Sequence, residues 1–527
     1  MSLKKLSLLL SGASMSVLLA AAPTLAGEVT LTSPNSDTSL RGELIAVEDD
    51  KYVIETSIGT MRVAMDMVTC DGDACPVIEI NNEITLVGSP TLTDRLMPAL
   101  LAGYSLAIGG SADMTEGDAE KRVYELNSES IGEGALTLTS TGATSAFEAL
   151  AKREASLALT TRPASAAEAK AAKSTGIPAL RGVAHEHVIG YDGLLLVTNN
   201  GNGIRAMSEA TAAQIFSGKI TNWSELGGED APINVYVREE GSGARSLFDE
   251  MLMRSNREKV SPDANQLLTD ADVAAAVAKD PNGFGFTSMV YASDTVKPLA
   301  IEGVCGLRTP ATSFTIKTGE YPLTRPLYLY SASGTTNGHT EEFVNYVTSD
   351  AGQKMVTAAG FVGQTISSEA LNAQGTRVAS TLLLHDEKSG DIGSIRNMLS
   401  MLMASDRLST TVRFTQGNSR LDASAQADVD RLGEMLSTAE YADKEFYFMG
   451  FSDSVGRADL NQLLALQRAE LVRKALLEKH PELASRIKAR SVGFGEISPL
   501  GCNETRTGRS INRRVEVWMQ DIASKKS

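Results

Sequence analysis

Residues 449–476, MGFSDSVGRADLNQLLALQRAELVRKAL, followed by GFGEISPLGCNETRTGRSINRRVEVW at 493–518, decide the reading of the C-terminal part of the chain. Phe446–Phe451 is an apolar run that reads as a short strand, Asp453 stands at its exit, and a long amphipathic helix opens behind it. Leu460, Leu464, Leu471 and Ala475 recur at helical spacing and predict the apolar stripe of that helix. Arg468 falls beside the stripe, flanked by Leu464 and Val472, with Asn461 two turns earlier on the same side. A guanidinium on the margin of an apolar face is costly unless an anion or hydrogen-bond acceptors meet it. Asp453 and Arg468 thus offer opposite charges at one end of a sheet, which suits a small zwitterion with an ammonium and a carboxylate. On the residues alone, an internal salt bridge between the two is the simpler reading.

The same motifs resemble the OmpA-type peptidoglycan-binding domain. Its G-[HFY]-[ST]-D-x-x-G turn reads here as Gly450 to Gly456, its helix start N-x-x-L-[SA]-x-x-R-A as Asn461 to Ala469, and its closing strand G-R-x-x-N-R-R-V-E as Gly508 to Glu516. The likeness covers roughly 405–522, with three separated motifs in the family's order. It implies an α+β domain in which Asp453 and Arg468, helped by Asn461, hold the ammonium and carboxylate of diaminopimelate in a peptidoglycan stem peptide. Phe451 stands where many members have His, a difference of packing, and Arg513–Arg514 reads as a structural pair.

Composition and the N-terminus bear on the compartment. Lys4 and Lys5, an apolar run from Leu6 to Ala22, and Thr24-Leu25-Ala26 before Gly27 read as a secretory signal peptide, 1–26. No Cys at the cleavage region calls for a lipid anchor, and no later stretch is long and apolar enough for a spanning helix. The expectation is a periplasmic protein of a Gram-negative envelope, associated with the cell wall. A net charge of −16 argues against nucleic acid as a partner and leaves a local oxyanion site open. Of the four cysteines, Cys70 and Cys75 enclose a Gly-Asp turn in TCDGDAC and predict a small disulfide loop, while Cys305 and Cys502 are equally readable as a cross-domain disulfide or as two buried thiols.

Residues 27–82 alternate apolar and polar side chains at Leu44–Val47, Tyr52–Ile54 and Met61–Val63, with Asp-Asp and Ile-Gly turns between them, and predict a small antiparallel β module. From 83 to about 380 strands and helices alternate, the mark of α/β lobes. Ile84–Val87 runs into Gly88-Ser89-Pro90-Thr91-Leu92-Thr93 with Pro98 as a candidate first helix residue, and Ala135–Thr139 runs into Ser140-Thr141-Gly142-Ala143-Thr144 before a helix from about Ser145. Asn234–Val237 leads into Arg238-Glu239-Glu240-Gly241-Ser242-Gly243-Ala244 and a helix over Arg245–Met253, whose Arg245 and Arg254 read as solvated. Each loop brings hydroxyls and free amides to a helix N-terminus, which favours an anion. Singly, such loops are ordinary caps.

This region resembles the phosphate-binding, PstS-like class of periplasmic solute-binding proteins. The likeness is carried by GYDGLLLVTNNGNGIRAMSEATAAQIFSGKITNWSELGG (190–228), FEALAKREASLALTTRP (147–163), DPNGFGFTSM (280–289) and YPLTRPLYLY (321–330). It implies a two-lobe α/β periplasmic-binding-protein fold closing on phosphate or a related oxyanion, with an ABC transporter as a candidate partner. Carried over position by position, the anion site comprises Ser89 and Thr91, then Ser140, Thr141 and Thr144, then Arg238, Ser242, Gly243 and Ala244. Many members place an Asp before an Arg-Pro-like pair to accept the proton of monohydrogen phosphate; here Thr161 stands there, Ala244 replaces a usual hydroxyl, and Arg162 adds a second cation.

Nothing in the sequence assembles a catalytic constellation, a metal site or a cofactor motif. His185-Glu186-His187 lacks a third ligand and reads as a surface or hinge segment, and Gly241-Ser242-Gly243 is not a hydrolase elbow. Ile395–Leu402 predicts a connector helix within 381–404, after the Ser389-Gly390 break. The expected protein is therefore multidomain: a small β module, a two-lobe oxyanion receptor and an OmpA-like wall anchor. Its rivals are a cell-wall scaffold whose binding domain has lost its ligand, and an exported phosphate-transferring enzyme.

Overall fold

Alternating side chains in the N-terminal segment give a five-stranded antiparallel sheet, with Val29, Leu31, Leu44, Tyr52 and Ile54 on its buried face. Its strands are Gly27–Thr32, Ser39–Glu48, Lys51–Thr56, Gly59–Ala64 and Thr69–Asp71. Cys70 and Cys75 are bonded, with Cα atoms 5.9 Å apart, around Gly72 at φ +137°, a conformation that suits glycine. The computed structural model describes residues 27–33, 38–48, 51–65, 68–75, 82–118, 120–129, 132–177, 179–292, 294–332, 338–383, 392–415, 417, 420–442 and 444–521. The signal segment 1–26, the Asp49-Asp50 turn and the Ser389-Gly390 break lie outside them. The described residues fall into two compact units, one ending at residue 75 and the other starting at 82.

In the second unit a mixed eleven-stranded sheet runs through two lobes. In the first lobe Glu83–Gly88 lies parallel between Gly132–Ser140 and Leu157–Thr160. In the second, Asn234–Arg238 lies parallel between Asn265–Leu267 and Gly283–Ser288. Two antiparallel strands, Glu186–Asn199 and Thr324–Ser331, cross between the lobes. Their pairing encloses a buried ion pair, Arg325 on Asp192 at 2.5 Å, and Ser288 Oγ donates to the other Asp192 oxygen at 2.8 Å. The lobes keep separate cores: Phe216, Trp223, Phe248, Phe284 and Phe286 fill one, and Leu86, Leu96, Tyr104, Leu138 and Phe343 the other.

The C-terminal sheet has the order Ser368–Ala370, Asp406–Arg413, Arg514–Asp521, Lys444–Phe451, Lys488–Gly493, with helices Ala423–Leu436 and Ala458–Lys479 packed on it. The connector helix expected over Ile395–Leu402 spans Ile392–Met403, preceded by a helix Gly375–Leu383. This part is joined to the second lobe covalently, by the Cys305–Cys502 disulfide, which answers the question the cysteine count leaves open. A fully buried charge network continues the junction: Arg407 meets Glu320 at 2.5 Å and Glu516 at 3.4 Å, while Arg377 and Arg514 reach Glu516 at 2.8 and 2.6 Å.

Three sequence expectations are corrected. The first lobe helix starts at Pro90 and spans Pro90–Ala107, so Pro98 is interior, on the exposed side where water can serve the carbonyl it leaves unpaired. The buried face of Ala458–Lys479 consists of Asn461, Ala465, Arg468, Ala469, Val472 and Leu476, whereas Leu460 is exposed. The small side chains Ala465 and Ala469 let the helix press against the sheet, where Gly450 leaves no room for a Cβ against Ala465, and this turns Arg468 inward. Arg245 is buried, donating to the Arg238 carbonyl at 3.0 Å and to Asp249 at 3.1 Å.

Candidate functional sites: an oxyanion cleft and a charged pocket on the C-terminal sheet

The C-terminal ends of the first lobe's parallel strands deliver their loops to one place, the position where open α/β sheets bind ligands. The Ser89 amide donates to Leu159 O at 3.0 Å, the Thr141 amide to Gly88 O at 2.8 Å, and Thr93 Oγ1 lies 2.8 Å from Ser140 Oγ. Ser89 is the N-cap of Pro90–Ala107 but makes no side-chain cap bond, so its hydroxyl is not spent on the helix. Thr141 Oγ1 is buried without a partner. Thr91 is half-buried and Thr144 exposed.

The second lobe presents Arg238 at its strand end. Its Nη1 donates to Asp270 at 3.0 Å, while its Nε and the other Asp270 oxygen are buried without partners. Burial pushes the Asp270 carboxyl above the usual carboxylate range, against the pull of Arg238 and Arg325. Ser242 caps Gly243–Phe248, accepting from Arg245 N at 3.2 Å and donating to Glu239 O at 3.0 Å. The amides of Gly243 and Ala244 open that helix, where no intrahelical acceptor exists for them. The two lobes meet at Tyr291, over whose ring Arg95 sits at 5.7 Å; burial pushes the Tyr291 hydroxyl up, Asp270 adds to this, and Arg95 and Arg238 oppose it.

Arg162 is engaged elsewhere. Its two terminal nitrogens lie on Glu168 at 2.9 and 2.7 Å, and Nη2 also donates to Thr144 Oγ1 at 3.2 Å. Burial would raise the Glu168 carboxyl, but Arg162 and the Ser165 amide and hydroxyl hold it down at about 2. Asp270, Arg95 and Tyr291 escape a motif-based reading because they belong to no anion loop. His185–His187 also differs from a surface segment: His185 is buried with Nδ1 on Ser331 O at 3.0 Å, and burial, then His185, hold the His187 imidazole down at about 4.

In the C-terminal domain the internal Asp453–Arg468 bridge does not form. Asp453 takes Arg513 Nη1 at 2.6 Å and the Val455 amide at 3.2 Å. Arg468 is 2% exposed, stacks over Phe414 at 5.0 Å, and leaves Nε and Nη1 buried without partners. Burial pushes its pKa below the usual arginine value, Arg513 adds to this and Asp453 opposes it. Ser452 Oγ, next to Asp453 in the chain, is also buried and unpartnered, and Asn461 donates to Glu496 at 2.7 Å. Arg513 therefore belongs to this pocket, a correction to its purely structural reading; Arg514, bonded to Glu516 and to the Ser498 and Asn512 carbonyls, keeps that reading. Phe451 is buried under the Arg514 guanidinium, a packing role.

Residues 123–351 match the model of the PBP superfamily domain, and residues 413–513 that of the OmpA family. The chain thus carries a PstS-like domain of the periplasmic-binding-protein class with an OmpA family domain C-terminal to it. The phosphate-binding protein PstS of Borreliella burgdorferi is 28% identical over 186 residues, which is 34% of this chain and 66% of that protein. Outer membrane porin F of Pseudomonas aeruginosa is 34% identical over 114 residues, 22% of this chain and 31% of that protein. Each match spans less than two thirds of the relative's own length. The crystal structure of an ABC-type phosphate transport receptor from Vibrio cholerae aligns over 53% of this chain and 99% of its own at 25% identity, with a TM-score of 0.41. Among the described residues no helix is long and apolar enough to cross a membrane.

Proposed function

We propose that this protein is a periplasmic receptor for an oxyanion, phosphate first, held non-covalently on peptidoglycan by its C-terminal domain. The observation that carries the reading is the orphaned donor at each site. Thr141 Oγ1 and Arg238 Nε in the cleft, and Arg468 Nε and Nη1 in the pocket, are buried polar groups without partners. Native folds satisfy the large majority of such groups with protein, water or a ligand, and at these two sites the orphaned donors coincide with the residues the family motifs assign to a ligand. In the cleft, Ser89, Thr91, Ser140, Thr141 and the Gly243 and Ala244 amides would donate to the anion, with Arg238 as its charge partner. In the pocket, Arg468 would take the carboxylate of a stem-peptide diaminopimelate and Asp453 its ammonium. The chemistry is binding; no nucleophile–base pair is needed.

Calorimetry of the full mature chain with phosphate and sulfate tests the cleft. Phosphate should bind, and Arg238→Ala should weaken it by well over tenfold, since a charge-assisted bond in a closed cleft is worth about 2–5 kcal/mol. Absence of binding by either anion would overturn the receptor reading. A second reading, a wall-bound scaffold without a ligand, is favoured by the in-house pairing of Arg238 with Asp270 and of Arg162 with Glu168. The calorimetry separates the two.

A further inference from the structure

Where the crossover strands meet the C-terminal domain there is a cavity of about 300 Å³, with a chamber of about 30 Å³ beside it that shares Tyr191, Lys317, Thr411 and Asp428 as walls. The small chamber has room for about two water molecules, or one carboxylate group. Gln364 and Thr410 close it and are only 1% and 4% exposed, and the Thr410 hydroxyl lacks a hydrogen-bond partner. The Gln364 amide engages the Tyr191 hydroxyl, which leaves part of its donor and acceptor capacity free. Thr410 reaches this position because the strand Asp406–Arg413 shifts register against its neighbour between Arg407 and Thr411, and an irregularity of that kind re-aims a side chain.

The charges around the chamber are unevenly matched. Arg431 is neutralised by Asp428 at 2.9 Å, and Arg413 is occupied by the Thr318 and Ile511 carbonyls. Asp422 faces the larger cavity but spends one oxygen on the Ala425 amide at 2.9 Å. Lys317 donates to the Thr365 carbonyl and has no carboxylate at ion-pair distance among the described residues. Burial holds its ammonium down at about 7, with Asp428 opposing and Arg431 reinforcing the effect. An amine without a carboxylate partner, which an anion would hold in its charged form, converges with the free Thr410 hydroxyl and the partly engaged Gln364 amide where an anionic head group fits.

We propose that this cavity binds a small carboxylate carrying an adjacent N–H, either a free amino acid or the C-terminal residue of a short peptide. Lys317, the Gln364 amide nitrogen and the Thr410 hydroxyl donate to the carboxylate, the Gln364 oxygen accepts from the N–H, and the larger cavity takes the rest of the molecule. Such a ligand touches the crossover strand at Tyr191 and the C-terminal sheet at Thr410 together, so it is a third site, distinct from the oxyanion cleft and the Arg468 pocket.

The test is calorimetry on the full mature chain carrying Arg238→Ala and Arg468→Met, which silences the other two anion sites. The probes are L-alanine, alanyl-alanine and acetate. One equivalent of alanine or alanyl-alanine should bind, with acetate at least tenfold weaker because it lacks the N–H. Tighter binding of the dipeptide assigns the site to peptide ends, and tighter binding of alanine to free amino acids. Lys317→Met and the isosteric Thr410→Val should each weaken binding by at least tenfold, and Thr410→Val decides if Lys317→Met does not fold. Absence of binding by both probes means a cavity that holds only water and overturns the proposal, as does binding that Thr410→Val leaves unchanged.

Discussion

Replacing Arg468 by Met separates a ligand-binding arginine from a structural one. In the folded chain this guanidinium is 2% exposed and has two nitrogens, Nε and Nη1, without acceptors. Keeping an incompletely paired charge out of water costs several kcal/mol even after relaxation. Against that cost stands the contact with Phe414 at 5.0 Å, worth about 0.5–2 kcal/mol. Met keeps most of the stem's packing and removes the cost, so the thermal midpoint of Arg468→Met should be equal to or higher than that of the parent. Binding should respond in the opposite direction. Loss of a buried charge-assisted contact of about 2–5 kcal/mol lowers affinity about thirtyfold to a few thousandfold. Co-sedimentation with purified peptidoglycan and a thermal melt of the same preparation give both numbers. A variant that melts markedly earlier yet still sediments like the parent would refute the reasoning, because Arg468 would then be part of the core and not a waiting ligand partner.

Four further outcomes are expected. Glu516→Ala strands Arg377, Arg407 and Arg514 in the core and should cost about 3–5 kcal/mol in denaturant unfolding, the usual effect of breaking a buried network. The double variant Cys305→Ser/Cys502→Ser opens a crosslink across a separation of 197 residues, for which loop entropy gives an upper value of about 5 kcal/mol; non-reduced peptide mapping should show the bond in the parent. Glu168, held at about 2 in the folded chain, contributes stability that is present above the unfolded carboxylate range and is lost as pH falls through about 2, so the stability difference between parent and Glu168→Gln should shrink steadily between pH 5 and 2. Thr161→Asp should improve rejection of sulfate relative to phosphate in calorimetry, since an unprotonated acceptor at that position repels a fully ionised anion; unchanged discrimination would point to Asp270 as the carboxylate that already reads the proton.

The architecture was legible because strand-to-loop transitions carry their own local chemistry. The strands ending at Gly88, Ser140 and Arg238 run into their hydroxyl-bearing loops where the residues place them, although the first helix starts at Pro90 and not near Pro98. The Cys70–Cys75 loop is equally local, because five residues and a glycine at positive φ suffice to close it. The helix over Ala458–Lys479 was located correctly but its rotation was not. Leucines mark both of its sides, and the contact with the sheet is made by Ala465 and Ala469, whose small size weighs little in a hydrophobic pattern.

What the sequence could not expose is partnership across distance. Asp453 lies 15 residues from Arg468 but 60 from Arg513, and it is Arg513 that reaches it. Arg238 ends a strand and Asp270, 32 residues on, opens the helix Asp270–Lys279, and Arg407 finds Glu320 across the junction of two domains that the motifs describe separately. A motif assigns each charge a role within its own loop. Whether that charge is free for a ligand depends on which other charge the fold brings to it. Arg162 and Arg468 make the contrast: both are arginines that the sequence nominates for anions, and the fold gives Arg162 a bidentate carboxylate while leaving Arg468 with none. The second condition is the informative one, because an incompletely paired buried cation is costly and a ligand or water that completes it lowers that cost.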